Sequence, residues 1–98
     1  MPIEWDPTKS AANLQKHGVS FDEAEELLGS DADYLEIYDE QHSQDEERFI
    51  AIGPIRRGVI VVVYTERDDD DVGIISARMA TKAERGRYEE FEKARRGR

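Results

Sequence analysis

Residues 59–65 read Val-Ile-Val-Val-Val-Tyr-Thr, and no other stretch limits the fold of this chain so strongly. β-branched and aromatic residues in an unbroken run favour a strand. A strand sends alternate side chains to opposite faces, and here both faces are apolar. Such a strand belongs in the middle of a sheet that is covered on both sides. Val61 or Val63 is therefore expected to be buried.

The flanking sequence supplies the rest of the sheet and its covering layers. Ile3 to Trp5 reads as a short strand. Asp6-Pro7 gives an N-cap and a proline at the first helical position, where its missing N–H costs nothing. The helix 7–17 is expected to turn Ala11, Ala12 and Leu14 inward. Gly18 stops it, with Lys16 and His17 in the last turn, where the helix dipole favours cations. Ser20 followed three residues later by Glu23 forms a capping box for a second helix that ends near Leu28 and buries Phe21, Ala24, Leu27 and Leu28.

Residues 34–38 alternate Tyr34, Glu36 and Tyr38 with Leu35 and Ile37, the pattern of a half-buried edge strand. A polar loop covers 39–46, and a strand spans 47–53. Pro54 to Gly58 reads as a turn into the central strand, and the aspartates 68–71 as the tip of the next hairpin, leading into a strand at 72–79. Thr81 and Glu84 form a second capping box, opening a helix to about Ala94 with a frayed basic tail at 92–98. The expected fold is a single α+β domain over residues 1–98. Its antiparallel sheet is packed with helices in the order β-α-α-β-β-β-β-α.

Charge narrows the partners. The net charge is −9, which repels nucleic acid at long range. Residues 18–47 hold twelve Asp or Glu and no Lys or Arg, whereas residues 81–98 hold seven Lys or Arg against four Glu. Solvated faces that keep the chain soluble are one reading of this segregation; an acidic surface for a basic partner is the other. Cysteine is absent, so neither a disulfide framework nor a thiolate metal site exists. No histidines are paired at metal spacing, so no metal or cofactor is expected. Neither a basic-then-apolar leader nor an apolar run of about 20 residues is present, which points to a cytoplasmic protein without a membrane anchor.

Several short motifs occur in a fixed order: Glu4-Trp5-Asp6-Pro7-Thr8-Lys9, then Lys16-His17-Gly18-Val19-Ser20-Phe21. Far downstream come Ile74-Ile75-Ser76-Ala77-Arg78-Met79-Ala80-Thr81, Glu84-Arg85 and Tyr88-Glu89-Glu90. Together they resemble the BrnT toxins of bacterial type II toxin–antitoxin modules, over nearly the whole chain from about Ile3 to Glu90. The resemblance implies a RelE-like fold and an endoribonuclease that inhibits translation. It also implies a DNA-binding antitoxin as partner, through which alone the complex reaches DNA, in a homo- or hetero-oligomer. Gly73 and Met79 stand where the family pattern carries basic residues. The alternative reading is therefore a weak or inactive antitoxin-binding module that acts in autoregulation of its operon. A regulatory domain with no link to RNA is a third.

RNA cleavage without a metal needs a base for the 2′-hydroxyl, cations on the phosphate and an acid for the leaving oxygen. Arg67 and Arg78 match arginines of the family motifs and are candidates for the phosphate. The structural alternatives are ion pairs, Arg67 with the aspartates that follow it and Arg78 with a helix carboxylate. His17 is a candidate proton shuttle, or an ordinary last residue before a helix-stopping glycine. Lys9 sits in a first helical turn, against the dipole, which makes it a candidate catalytic cation. Lys16 is a candidate RNA contact that shares the helix-end alternative. Trp5 is either a stacking platform for a base or part of the core.

Overall fold

The computed structural model describes residues 2–30, 33–42, 46–66 and 71–97. Along the chain run β1 (Ile3–Glu4), α1 (Pro7–His17), α2 (Phe21–Leu28), β2 (Leu35–Tyr38), a 3₁₀ turn (Glu40–His42), β3 (Arg48–Ile55), β4 (Gly58–Glu66), β5 (Val72–Met79) and α3 (Lys82–Arg96). The five strands form one sheet in the order β1-β5-β4-β3-β2. Arg67 and the aspartates 68–70 of the expected hairpin tip lie outside the described residues.

β4 is internal, as its two apolar faces require, and it separates two cores. On one face Ile60, Val62 and Tyr64 pack with Val19 and with Phe21, Ala24, Leu27 and Leu28 of α2. On the other, Val61 packs with Ile52, Ala80 and Tyr88 of α3. Val61 is 2 % exposed, while Val63 is half-buried.

The sheet is mixed rather than antiparallel. β1 pairs parallel to β5 through Ile3↔Val72 and Glu4↔Gly73. A tight turn forces antiparallel pairing only between strands that follow one another, and β1 leads into two helices before the chain returns to the sheet. Its direction is set by how those helices pack.

The helix α1 begins and ends where the sequence says, with Asp6 accepting from the Thr8 N–H at 2.8 Å and Gly18 in the left-handed region at φ 75°. Its inward face differs. Ala11, Ala12 and Leu14 are exposed, and Ser10 and Asn13 are buried instead. Both are inside because they complete backbone hydrogen bonding at a crowded junction. Ser10 Oγ accepts from the Phe21 N–H at 2.9 Å. The Asn13 amide donates to the Val19 carbonyl at 2.7 Å and to the Ala77 carbonyl of β5 at 2.8 Å. One side chain thereby joins α1, the link between α1 and α2, and the sheet.

Two strand details shift side chains from their expected places. β3 runs on to Ile55, which pairs with Gly58, so the turn is Arg56-Arg57 alone and Pro54 sits within the strand opposite Val59. Pro54, which has no N–H to donate, is tolerated because β2 ends at the Leu35↔Ile52 rung, beyond which no described strand calls for a donor on that side. Gly58 adopts φ 142°, which the sharp turn requires.

The second detail lies in β5. The register against β4 slips between Val63↔Ser76 and Tyr64↔Ile74, leaving Ile75 as an extra residue. Strict alternation would place Ile74, Ser76 and Arg78 on one face. The bulge instead sends Ile74 into the first core beside Ala77, and Arg78 faces α3 opposite Val61. Gly73, flanked by Val72 and Ile74 of the first core, consequently lies on the same face as Arg78, not the opposite one.

Candidate functional site

Arg78 comes to its position through the way β5 hands over to α3. The strand ends at Met79, the Ala80 N–H is taken by the Val59 carbonyl at 3.0 Å, and Thr81 caps the helix. In that cap the Glu84 N–H donates to Thr81 Oγ1 at 3.2 Å, and the Thr81 N–H donates to Glu84 Oε1 at 2.8 Å. The same carboxylate grips Arg78 end-on: Nη1 donates to Oε1 at 2.7 Å and Nη2 to Oε2 at 2.8 Å. Glu84 thus orients Arg78 and caps α3 at once. Arg78 Nη1 also donates to the Met79 carbonyl at 3.4 Å; of the five N–H donors of a guanidinium two therefore remain, on a side chain that is 43 % exposed.

The pair is electrostatically tight. The two hydrogen bonds from Arg78 hold the Glu84 carboxyl at about 2, against an ordinary value of 4.5, and Glu84 in turn raises Arg78 further. A carboxyl with a lowered folded-state value stabilises the fold above its unfolded value and loses that contribution as pH falls. Stability supplied by Glu84 is therefore complete above about pH 4.5 and lost between there and about 2. Thermal unfolding of Glu84→Gln measured against pH should show a flatter acid limb than wild type over that window. An unchanged slope would mean that the pair does not form in solution.

The other sequence candidates stand elsewhere. Trp5 packs edge-on against Phe21 with ring centres 6.2 Å apart, and its indole N–H donates to Glu25 Oε1 at 2.9 Å. Its ring is thus part of the margin of the first core, with its polar atom engaged. Lys9, Lys16 and His17 are exposed on α1. That helix packs on the Ala77 side of β5 through Asn13, whereas Arg78 points to the α3 side. Lys9 and His17 are eight residues apart on one helix, a rise of about 12 Å. The structure does not gather these residues with Arg78 into one constellation, and Arg67 follows β4 outside the described residues. Among the described residues, no three His, Asp or Glu side chains converge as a metal ion would need, and no helix is long and apolar enough to cross a membrane.

Comparison with known proteins decides the family. A family model described as the ribonuclease toxin BrnT of type II toxin–antitoxin systems matches residues 5–84. The chain belongs to the BrnT family. The 1.1 Å crystal structure of the Brucella abortus ribonuclease toxin BrnT is similar in fold, with a TM-score of 0.59 and 27 % sequence identity. The match covers 84 % of this chain and 99 % of that one. A comparison with curated proteins gives no match. Membership of a type II toxin–antitoxin family implies an antitoxin partner.

The BrnT match runs from Trp5 to Glu84, and so takes in both capping boxes. Each N3 glutamate does a second task that the sequence does not announce. Glu84 holds Arg78, and Glu23 caps α2 while binding Arg57 of the β3–β4 turn at 2.6 and 2.9 Å. Arg57 also donates to the Gly18 carbonyl. The sequence shows a helix carboxylate as one possible partner for Arg78. That the partner is Glu84 is set by the fold, which brings the start of α3 beside Arg78 at the end of β5.

Proposed function

We propose that this chain is a RelE-like endoribonuclease toxin that cleaves RNA without a metal and arrests translation until a DNA-binding antitoxin neutralises it. Family membership supports this reading, and the observation that carries it to a residue is the oriented, half-exposed Arg78. A guanidinium held by Glu84 with outward N–H groups remaining is placed to bind a phosphate and stabilise charge on it. Arg67, which follows β4 in sequence outside the described residues, is the second candidate phosphate contact. His17, Lys9, Lys16 and Trp5 belong to the other face of the sheet. They take part in the reaction only if RNA wraps around its end.

One observation favours the alternative, a binding module without activity. Both oxygens of Glu84 are engaged by Arg78, so the pair is neutral overall and attracts a phosphate less than a lone arginine would.

Inducible expression of the chain in a bacterial host separates the two readings. The toxin reading expects growth arrest with loss of protein synthesis, relieved by co-expressing the antitoxin encoded beside it. Normal growth with full-length, folded protein in the cell would favour the binding module.

A further inference from the structure

The end of the sheet at β2 has a backbone edge that no described strand uses. β2 is the last strand in the order, and among the described residues no strand pairs with its outer side. Its hydrogen-bond phase is fixed by the Asp39 N–H, which donates to the Arg48 carbonyl at 2.9 Å. Rungs of an antiparallel ladder alternate, so Ile37 and Leu35 also turn their backbone groups toward Ile50 and Ile52 of β3. Glu36 and Tyr38 turn theirs outward. Two N–H groups and two carbonyls therefore face away from the sheet, spaced for a further strand.

Its protection is limited to its short length and the charge of Glu36. β2 contains no lysine, no proline and no bulge. Its two faces differ chemically. On the α3 side Leu35 and Ile37 are half-buried against the second core, so their rows of apolar side chains stop abruptly at the edge. On the α2 side stand Glu36, exposed and accepting from the Tyr64 hydroxyl, and Tyr38, which is 45 % exposed beside Phe49. In sequence β2 belongs to the acidic run 18–47, which includes no Lys or Arg.

We infer that β2 is the docking edge for an extended segment of the antitoxin, which adds as a sixth strand and alternates apolar with basic residues. The apolar side chains continue the Leu35 and Ile37 rows, and the basic ones lie beside Glu36 and the Tyr38 ring. The inference rests on the toxin–antitoxin reading for the existence of that partner. An acidic rim selects a basic segment and speeds its arrival, so affinity should fall as salt rises.

The test is residue-resolved amide hydrogen exchange on the chain alone and in complex with its purified antitoxin. Alone, the Glu36 and Tyr38 amides should exchange fast while Ile37 and Asp39 are protected. In the complex, Glu36 and Tyr38 should slow by at least about tenfold. Tyr38→Pro removes an outward N–H that the free strand does not use, and should weaken antitoxin binding by at least about tenfold. If a complex forms with Glu36 and Tyr38 exchanging as in the free chain, or if a folded Tyr38→Pro binds undiminished, the docking edge is wrong and the toxin–antitoxin reading stands. Absence of any complex removes both. Protection that rises with the chain's own concentration, without antitoxin, would assign the edge to a second copy and also overturn the proposal.

Discussion

Replacing Arg78 with alanine should lower RNA cleavage by about 10²–10³-fold, the usual cost of one positioned donor to transition-state charge, and abolish growth arrest. The fold should barely change. The Arg78 and Glu84 side chains are 43 % and 23 % exposed, and a partly solvated pair contributes on the order of 1 kcal/mol or less. Glu84 also keeps its capping bonds to Thr81 when Arg78 is lost. Arg78→Lys sharpens the test, because an ammonium cannot grip both carboxylate oxygens and still present a fixed donor to a phosphate. It should recover little of the activity. Cleavage by the alanine variant at the wild-type rate would remove Arg78 from the reaction and leave it as the anchor of α3.

The largest effect on stability is expected at Asn13. Its side chain is 8 % exposed and serves two carbonyls, those of Val19 and Ala77, whose residues are both fully buried. Asn13→Leu leaves both oxygens without a partner, at about 1–3 kcal/mol each. For a domain of this size the melting temperature should drop by on the order of 10–20 °C. Asn13→Asp is the more pointed change: it preserves shape while setting a carboxylate against two carbonyl oxygens, and should be at least as damaging near neutral pH. A thermal scan showing either variant within a few degrees of wild type would mean that α1 is not pinned in this way.

Asn13 also shows where sequence reading stops. Hydrophobic ranking points to Ala11, Ala12 and Leu14 as the inward face of α1, but burial there is decided by which side chain can satisfy the backbone of a junction formed by distant residues. The α2 helix had no such competitor, and its inward set is Phe21, Ala24, Leu27 and Leu28 as periodicity indicates. Caps are local chemistry, so both boxes were legible, as was the span of β5. The bulge at Ile75 was not, because nothing in Ile74-Ile75-Ser76 marks an extra residue, and it reassigned Ile74 and Gly73 between faces. The parallel pairing of β1 depends on helix packing between segments some 70 positions apart. Individual candidates for chemistry could be named from residue type. Whether they meet depends on those same long-range choices, which placed Arg78 on one side of the sheet and Lys9, Lys16, His17 and Trp5 on the other.

The most direct test of the toxin reading is an in vitro cleavage assay with purified chain and single-stranded RNA in excess EDTA. On the proposed metal-independent reaction, cutting should proceed undiminished and leave 2′,3′-cyclic phosphate or 3′-phosphate ends, as expected when the 2′-hydroxyl attacks, and added antitoxin should stop it. Intact RNA under all conditions, or cleavage only when a divalent cation is restored, would contradict the account.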